Sequence, residues 1–345
     1  MRLAAFGLAL ALLGTAVAVD LAQMPAERAR LASRSLLLDL ALAGKRLVAV
    51  GDRGNILLSD DDGRTWTQTS SPTQDLLTGV CFADAQHGIA VGHDEIILTS
   101  NDGGQTWRRT HFAPQAQQPL LDVWCGAGGR AIAVGAYGVY LVSADYGATW
   151  EERKLAVTSS GPKGAAAGGG AKRAAGASAT GTDASTDDIS GGYHLNAIAA
   201  DSSSRLYVAA EAGHLYRSDD GGNTWKSLPS PYEGSLFGVL PLQGGTVLVY
   251  GLRGNLFRSG DSGTTWQRVP TGTEAMLDGA TSWDGGGVAI VGLSGVVLLS
   301  RDGGASFSLL QQDDRKGLAT VREAQQGTLI TVGEAGVKLI GETRQ

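Results

Sequence analysis

The sequence predicts an all-β fold, a seven-bladed β-propeller of four-stranded antiparallel blades. Three observations carry this expectation. A motif Ser-x-Asp-x-Gly-x-Thr-Trp occurs six times, from SDDDGRTW at Ser59 to Trp66 to SRDGGASF at Ser300 to Phe307, at a spacing of about 41 residues with one long gap. A Gly-x-x-Gly turn precedes each motif and appears once more after the last, as Gly333 to Gly336. An apolar strand opening on a leucine stands before each turn: Leu38, Leu77, Leu121, Leu195, Leu236, Leu277 and Leu318. A fixed period in this range marks a repeat architecture, and four short strands per period mark a propeller blade.

The strands of the first unit read as Leu36 to Leu42, Arg46 to Val50, Asn55 to Ser59 and Thr65 to Thr69. They are rich in Val, Ile, Leu and Thr and are bounded by Gly and Asp, as strands between tight turns are. Two of the seven turns are degenerate, with Glu95 answering Gly92 and Ala210 answering Gly213. The last unit lacks a fourth strand, which leaves an unpaired edge. The segment Ala26 to Ser33, just before the first unit, is expected to supply that strand and close the ring.

Outside the repeats, residues 1–18 (MRLAAFGLALALLGTAVA) have a positive start, a short apolar run and a small-x-small end at Ala16 to Ala18. This reads as a secretory signal cleaved after Ala18, leaving residues 19–345 as one propeller in the periplasm or secreted. No other apolar run is long enough to span a membrane. Residues 156–190 form an Ala/Gly/Ser-rich insert between the third and fourth units and are expected to be disordered.

The chain carries a net charge of -6, which argues against nucleic acid as a partner. Its five histidines have no metal-ligand spacing, so neither a metal nor a cofactor is expected. Two cysteines, Cys81 and Cys125, sit four residues after Leu77 and Leu121 in adjacent units. They read either as a bridge formed in an oxidising compartment or as two small packing residues whose strands stand too far apart to be joined.

The repeated motif itself reads as structural. Its aspartates, Asp61, Asp102, Asp145, Asp220, Asp261 and Asp302, are expected to accept turn N–H groups, its glycine to take a positive φ, and its Trp to fill the wedge between blades. The pattern resembles the Asp box, or bacterial neuraminidase repeat. Joined to a preceding Val-Gly-x-x-Gly, as in AVGDRGNILLSDDDGRTW from Ala49 to Trp66, it is most similar to the photosystem II stability and assembly factor family. That resemblance covers the repeats but not the insert. It implies a propeller of photosynthesis-type assembly factors that binds a protein client and stabilises a membrane complex.

In a blade of this kind the turns joining second to third strands share one face, and the Asp boxes lie on the other. Binding residues gather on loops held by a rigid scaffold. The candidates are therefore Asp52, Arg53, His93, Asp94, Tyr137, Glu211, Arg253 and Glu334. The resemblance points to the two arginines, each followed by Gly-Asn, as part of a surface that engages the client. An Asp-box glycoside hydrolase, sialidase- or xyloglucanase-like, would need paired carboxylates and a Tyr–Glu pair. Carboxylates are present, but the Arg-Ile-Pro string of sialidases is absent and Tyr137 has no Glu beside it in its own unit. A carbohydrate-binding or receptor module is a further alternative. The expectation is an exported, monomeric, non-enzymatic protein that binds a protein client.

Overall fold

The computed structural model describes residues 24–158, 186–188, 192–324 and 328–341. The expected signal at 1–18 and most of the insert lie outside them. Seven sheets follow one another around a ring. The first contains Leu37–Ala43, Arg46–Gly51, Ile56–Ser59 and Thr67–Gln68, each paired antiparallel with the next. Five further blades start at Leu77, Leu120, Leu195, Leu236 and Leu277. The seventh has three strands, Leu318–Glu323, Leu329–Gly333 and Gly336–Ile340. The described residues contain no helix long and apolar enough to cross a membrane.

Strand alternation explains the ring. In the first blade Leu47, Ala49 and Leu57 pack against Ile330 and Val332 of the seventh, while Val48, Val50 and Ile56 pack against Leu77, Ala90 and Leu98 of the second. Odd and even side chains of one strand thus serve opposite neighbours. The same division yields seven apolar clusters, one per blade junction.

The Asp box ties each blade to the one before it. In all six boxes the Ser hydroxyl donates to the Asp Oδ1 at 2.7–2.8 Å. The Thr or Ser hydroxyl at the seventh position donates to Oδ2 at 2.5–2.7 Å. The box glycine has φ between 77° and 91°, so only Gly sits there without strain. It also touches the preceding blade. A Cβ on Gly63 would stand 2.7 Å from Ile330, one on Gly222 2.5 Å from the Tyr140 hydroxyl, and one on Gly263 2.6 Å from Leu228. The box aromatics Trp66, Trp107, Trp150, Trp225, Trp266 and Phe307 all join the junction with the preceding blade.

Several expectations are corrected. The core leucines of the first and third inner strands are Leu37 and Leu120, not Leu38 and Leu121. All seven inner strands carry a bulge at their start, between Leu37 and Asp39 in the first. The bulge turns two successive residues toward the ring axis and moves the apolar frame by one. Cys125 is consequently one step further along its strand than Cys81. The two form a disulfide across the second and third blades, with Cα atoms 5.6 Å apart, so inner strands are close enough to be joined.

Ala26 to Ser33 forms no strand on the seventh blade. Its N–H and carbonyl groups bond to the first blade instead: Ala26 N–H to Ser71 O at 2.9 Å, Ala29 N–H to Gln68 Oε1 at 2.8 Å, and Gln68 Nε2–H to Glu27 O at 2.9 Å. Where it meets the seventh blade it acts as a link. A Cβ on Gly336 would lie 2.1 Å from Ser33 O, much as one on Gly54 would lie 2.0 Å from Thr73 O in the link between blades one and two. The seventh turn is also one residue shorter than the others, pairing Gly333 directly with Gly336. Finally, residues 156–158, inside the expected disordered insert, pair parallel with Trp225–Ser227, and 186–188 pair with them in turn. Val157 is buried in the core, so the fourth blade is six strands wide.

Two stability measurements follow. Trp225 is fully buried, whereas Trp266 is half-buried, so Trp225→Ala should cost about 3–5 kcal/mol and Trp266→Ala clearly less, read by urea unfolding. Reducing the Cys81–Cys125 bond, which closes a separation of 44 residues, should lower stability by about 2–4 kcal/mol; a Cys81→Ser/Cys125→Ser variant should lose as much and no longer respond to reductant.

Candidate functional site

The second-to-third-strand turns place the candidate residues on one face, opposite the Asp boxes. Six of these turns hold their second residue in the left-handed region: Arg53 (φ 54°), Asp94 (φ 56°), Tyr137 (φ 55°), Ala212 (φ 51°), Arg253 (φ 56°) and Ser294 (φ 58°). Non-glycine residues rarely adopt this backbone, which costs on the order of 1 kcal/mol each and raises the side chain clear of the sheet. Arg53 is 84% exposed and lies 3.6 Å from Asp52. Arg253 is exposed, has no ion pair among the described residues, and lines a groove with Arg268 and Tyr232. The two arginines share the face but stand on blades one and five, with blades six and seven between them, so they do not form one patch.

Other candidates do meet. Tyr137 packs edge-on against His194 with ring centres 4.9 Å apart. The backbone N–H of His194 donates to Glu211 Oε2 at 2.9 Å, and its ring Nδ1 is 3.6 Å from Glu211 Oε1. Tyr137 and Glu211 are therefore joined through one histidine at the junction of blades three and four. His93 and Asp94 lie in the second turn, where Glu95 replaces the glycine, is buried and pairs with His111 at 3.2 Å. Glu334 is exposed on the shortened seventh turn, beside Gly317. Tyr137, which stands almost alone in the sequence, is accompanied by Tyr193 and Tyr216 around a pocket of about 110 Å³. His214 links these two, 4.3 Å from Tyr193 and 6.1 Å from Tyr216 between ring centres.

The sequence reading also missed the axial channel, about 700 Å³ in volume and lined by all seven inner strands. Asp39, Asp122 and Asp278 project into it from the residues that the bulges turn inward, and Arg322 lines it from further along the seventh inner strand. Asp39 accepts from Leu40 N–H at 2.7 Å and from Val80 N–H of the next blade at 2.8 Å. Asp122 does the same with Val123 and Ile198, at 2.7 and 2.8 Å. Thr78 donates to Leu120 O at 2.8 Å and Asn196 to Leu236 O at 2.9 Å. These side chains clasp neighbouring inner strands. Burial pushes Asp122 up to about 7, helped by the charge of Asp39 and opposed by its two N–H donors. Burial and Asp39 raise Asp278 to about 7 as well. Burial also raises Asp39, with the Arg322 charge pulling the other way. The outer boxes behave oppositely: the hydroxyl and then the N–H of Thr65 hold Asp61 down at about 2. Among the described residues no group of three His, Cys, Asp or Glu side chains is placed to hold a metal ion.

Comparison with known proteins places this geometry. The family model described as photosynthesis system II assembly factor YCF48 matches residues 66–175. Over that stretch the chain is similar to this family, and over most of its length it shares the fold of solved YCF48 structures. A solved structure of YCF48 bound to D1 peptide superposes with a TM-score of 0.65 at 16% identity, covering 90% of this chain and 94% of that one. YCF48 from Cyanidioschyzon merolae gives the same TM-score and identity over 90% of this chain and 97% of its own. The WD40 propeller of Doa1, at 11% identity and a TM-score of 0.63 over 94% and 97% of the two chains, shares the fold alone. No curated protein sequence matches.

The channel carboxyls set a pH dependence. Asp278 binds its proton more tightly folded (about 7) than its ordinary 3.8, so its favourable contribution is complete below about pH 4 and is lost as the pH rises through about 7. Asp278→Asn should leave stability unchanged at about pH 4 and raise it at pH 8 by about 1–2 kcal/mol, after discounting for channel water. Melting temperatures across that range, with a wild-type curve that falls and a variant curve that is flatter, check this.

Proposed function

We propose that the protein is an exported, non-enzymatic propeller that holds a protein client on its second-to-third-strand turn face and supports a membrane complex. The observation that carries this reading is the turn face itself, where left-handed residues raise Arg53, Tyr137 and Arg253 from a rigid ring. Guanidinium groups without strong internal partners suit carboxylates and backbone carbonyls of a peptide. The likeness to YCF48 bound to D1 peptide supports a protein as the client class. The Cys81–Cys125 bond supports export, because such bonds persist in oxidising compartments, and agrees with the signal-like residues 1–18.

The test is a crosslinking capture from the native cell envelope with wild type and an Arg53→Glu/Arg253→Glu variant. Wild type should recover a membrane-complex subunit, and the variant, at unchanged melting temperature, should recover at least about tenfold less. Equal recovery by both, or hydrolysis of a glycan panel with no client, would overturn the reading.

A further inference from the structure

Three tyrosines from two blades converge on the pocket between blades three and four. Tyr137 comes from a turn, Tyr193 from the chain entering the fourth blade, and Tyr216 from that blade's third strand. Val139, Leu155 and Leu195 complete an apolar floor. Tyr137 is 55% exposed and Tyr193 38%, so both form the mouth. Tyr216 is only 1% exposed, and its hydroxyl has no hydrogen-bond partner among the described residues. An orphaned buried hydroxyl is costly and uncommon in a folded protein. Burial keeps that phenol protonated by pushing it up to about 12, so it remains a donor.

The pocket's shape and chemistry limit its guest. Its volume of about 110 Å³ is below the ~150 Å³ of a cavity that takes benzene, so it fits a small ring better than a phenyl group. Its lining joins the three tyrosines and the aliphatic residues to Gln118, Glu152, Arg153 and Lys154, and its buried unmatched donor, the Tyr216 hydroxyl, calls for an acceptor. A proline in an extended chain meets both requirements. The pyrrolidine ring packs on aromatic faces, and polyproline II geometry leaves the backbone carbonyls free to accept.

We propose that this pocket is a docking site for a proline of an extended client segment, with its ring between Tyr137 and Tyr193 and a neighbouring carbonyl accepting from the Tyr216 hydroxyl. The site rests on the client-binding reading above and names the segment that the turn face holds. Tyr137, placed among the candidates by the sequence, becomes one wall of it, and the histidine it shares with Glu211 braces that wall.

Fluorescence anisotropy with labelled decaproline, against a glycine–serine repeat of equal length, tests it on the purified mature protein. Saturable binding of decaproline, about tenfold or more tighter than the control, is expected. Tyr216→Phe, which removes only the hydroxyl, should weaken it about three- to tenfold, and Tyr137→Ala should weaken it further. No binding of decaproline, binding indifferent to Tyr216→Phe and Tyr137→Ala, or displacement of the peptide by xyloglucan fragments would overturn the site. A client captured from the envelope without decaproline binding refutes this pocket alone. Decaproline binding with no client captured refutes the client reading and leaves the pocket standing.

Discussion

A propeller blade has no face that it can leave to water. Each sheet is apolar on both sides and must be covered twice, so the fold is stable only as a closed ring in which every blade serves two neighbours. The alternation of Leu47 and Ala49 against Val48 and Val50 is this constraint written in one strand. The Asp box satisfies it at the outer rim. Its hydrogen bonds fix a turn whose glycine abuts the preceding blade and whose aromatic fills the same junction. The motif is therefore less a hairpin ornament than the contact that sets how far apart two blades stand.

The same constraint acts at the axis by different means. Seven inner strands converge there, and each relieves the crowding with a bulge that directs two residues inward. Those positions cannot all be apolar, because they line a channel. Asp39, Asp122, Thr78 and Asn196 use their polarity to reach N–H or carbonyl groups of the next blade. Rim and axis thus carry acids with opposite pH responses. The rim aspartates lose their contribution as the pH falls toward 2, since Asp61 is held down there by Thr65. The channel acids, with Asp122 and Asp278 near 7, lose theirs as the pH rises. The ring is best held between those limits.

How much of this was legible in the sequence depends on the range of the interaction concerned. The blade count and the strands of the first unit could be read because the Asp box and the Gly-x-x-Gly turn are local. The bulge was not legible, since it breaks the period of two without leaving a residue signature; it put Leu38 where Leu37 stands and left the Cys81–Cys125 pairing open between two readings. The N-terminal segment was assigned to the right junction but the wrong partner: an unpaired edge predicts a strand, whereas the backbone groups of Ala26 and Ala29 are taken up by the first blade. Val157 was hidden by the low-complexity composition around it. The tyrosine pocket was only a third visible. Tyr137 is on a recognisable turn, but nothing local connects it to Tyr193 and Tyr216, which ring geometry alone brings together. The one available signal was the Tyr-His pair at 193–194 and the His-x-Tyr at 214–216.

The division of labour between the two faces follows from the energetics of these turns. On the Asp-box face the Ser, Asp and Thr or Ser side chains of the motif are committed to the turn. On the opposite face the glycines and backbone carbonyls do the structural work, as where Gly54 meets Thr73 and Gly254 meets Thr273. The residue between them is released from packing and held in a left-handed backbone. That strain, about 1 kcal/mol per turn, is tolerable because the flanking strands are buried on both sides. A side chain presented this way has already lost much of its freedom, so binding orders less of the protein than a mobile loop would require. Tyr137 shows the consequence most fully. It combines a strained backbone, an exposed ring and a braced edge, and it stands over a buried hydroxyl that lacks a partner. Of the positions around that face, it is the one where the fold leaves both a rigid surface and an unmet chemical need.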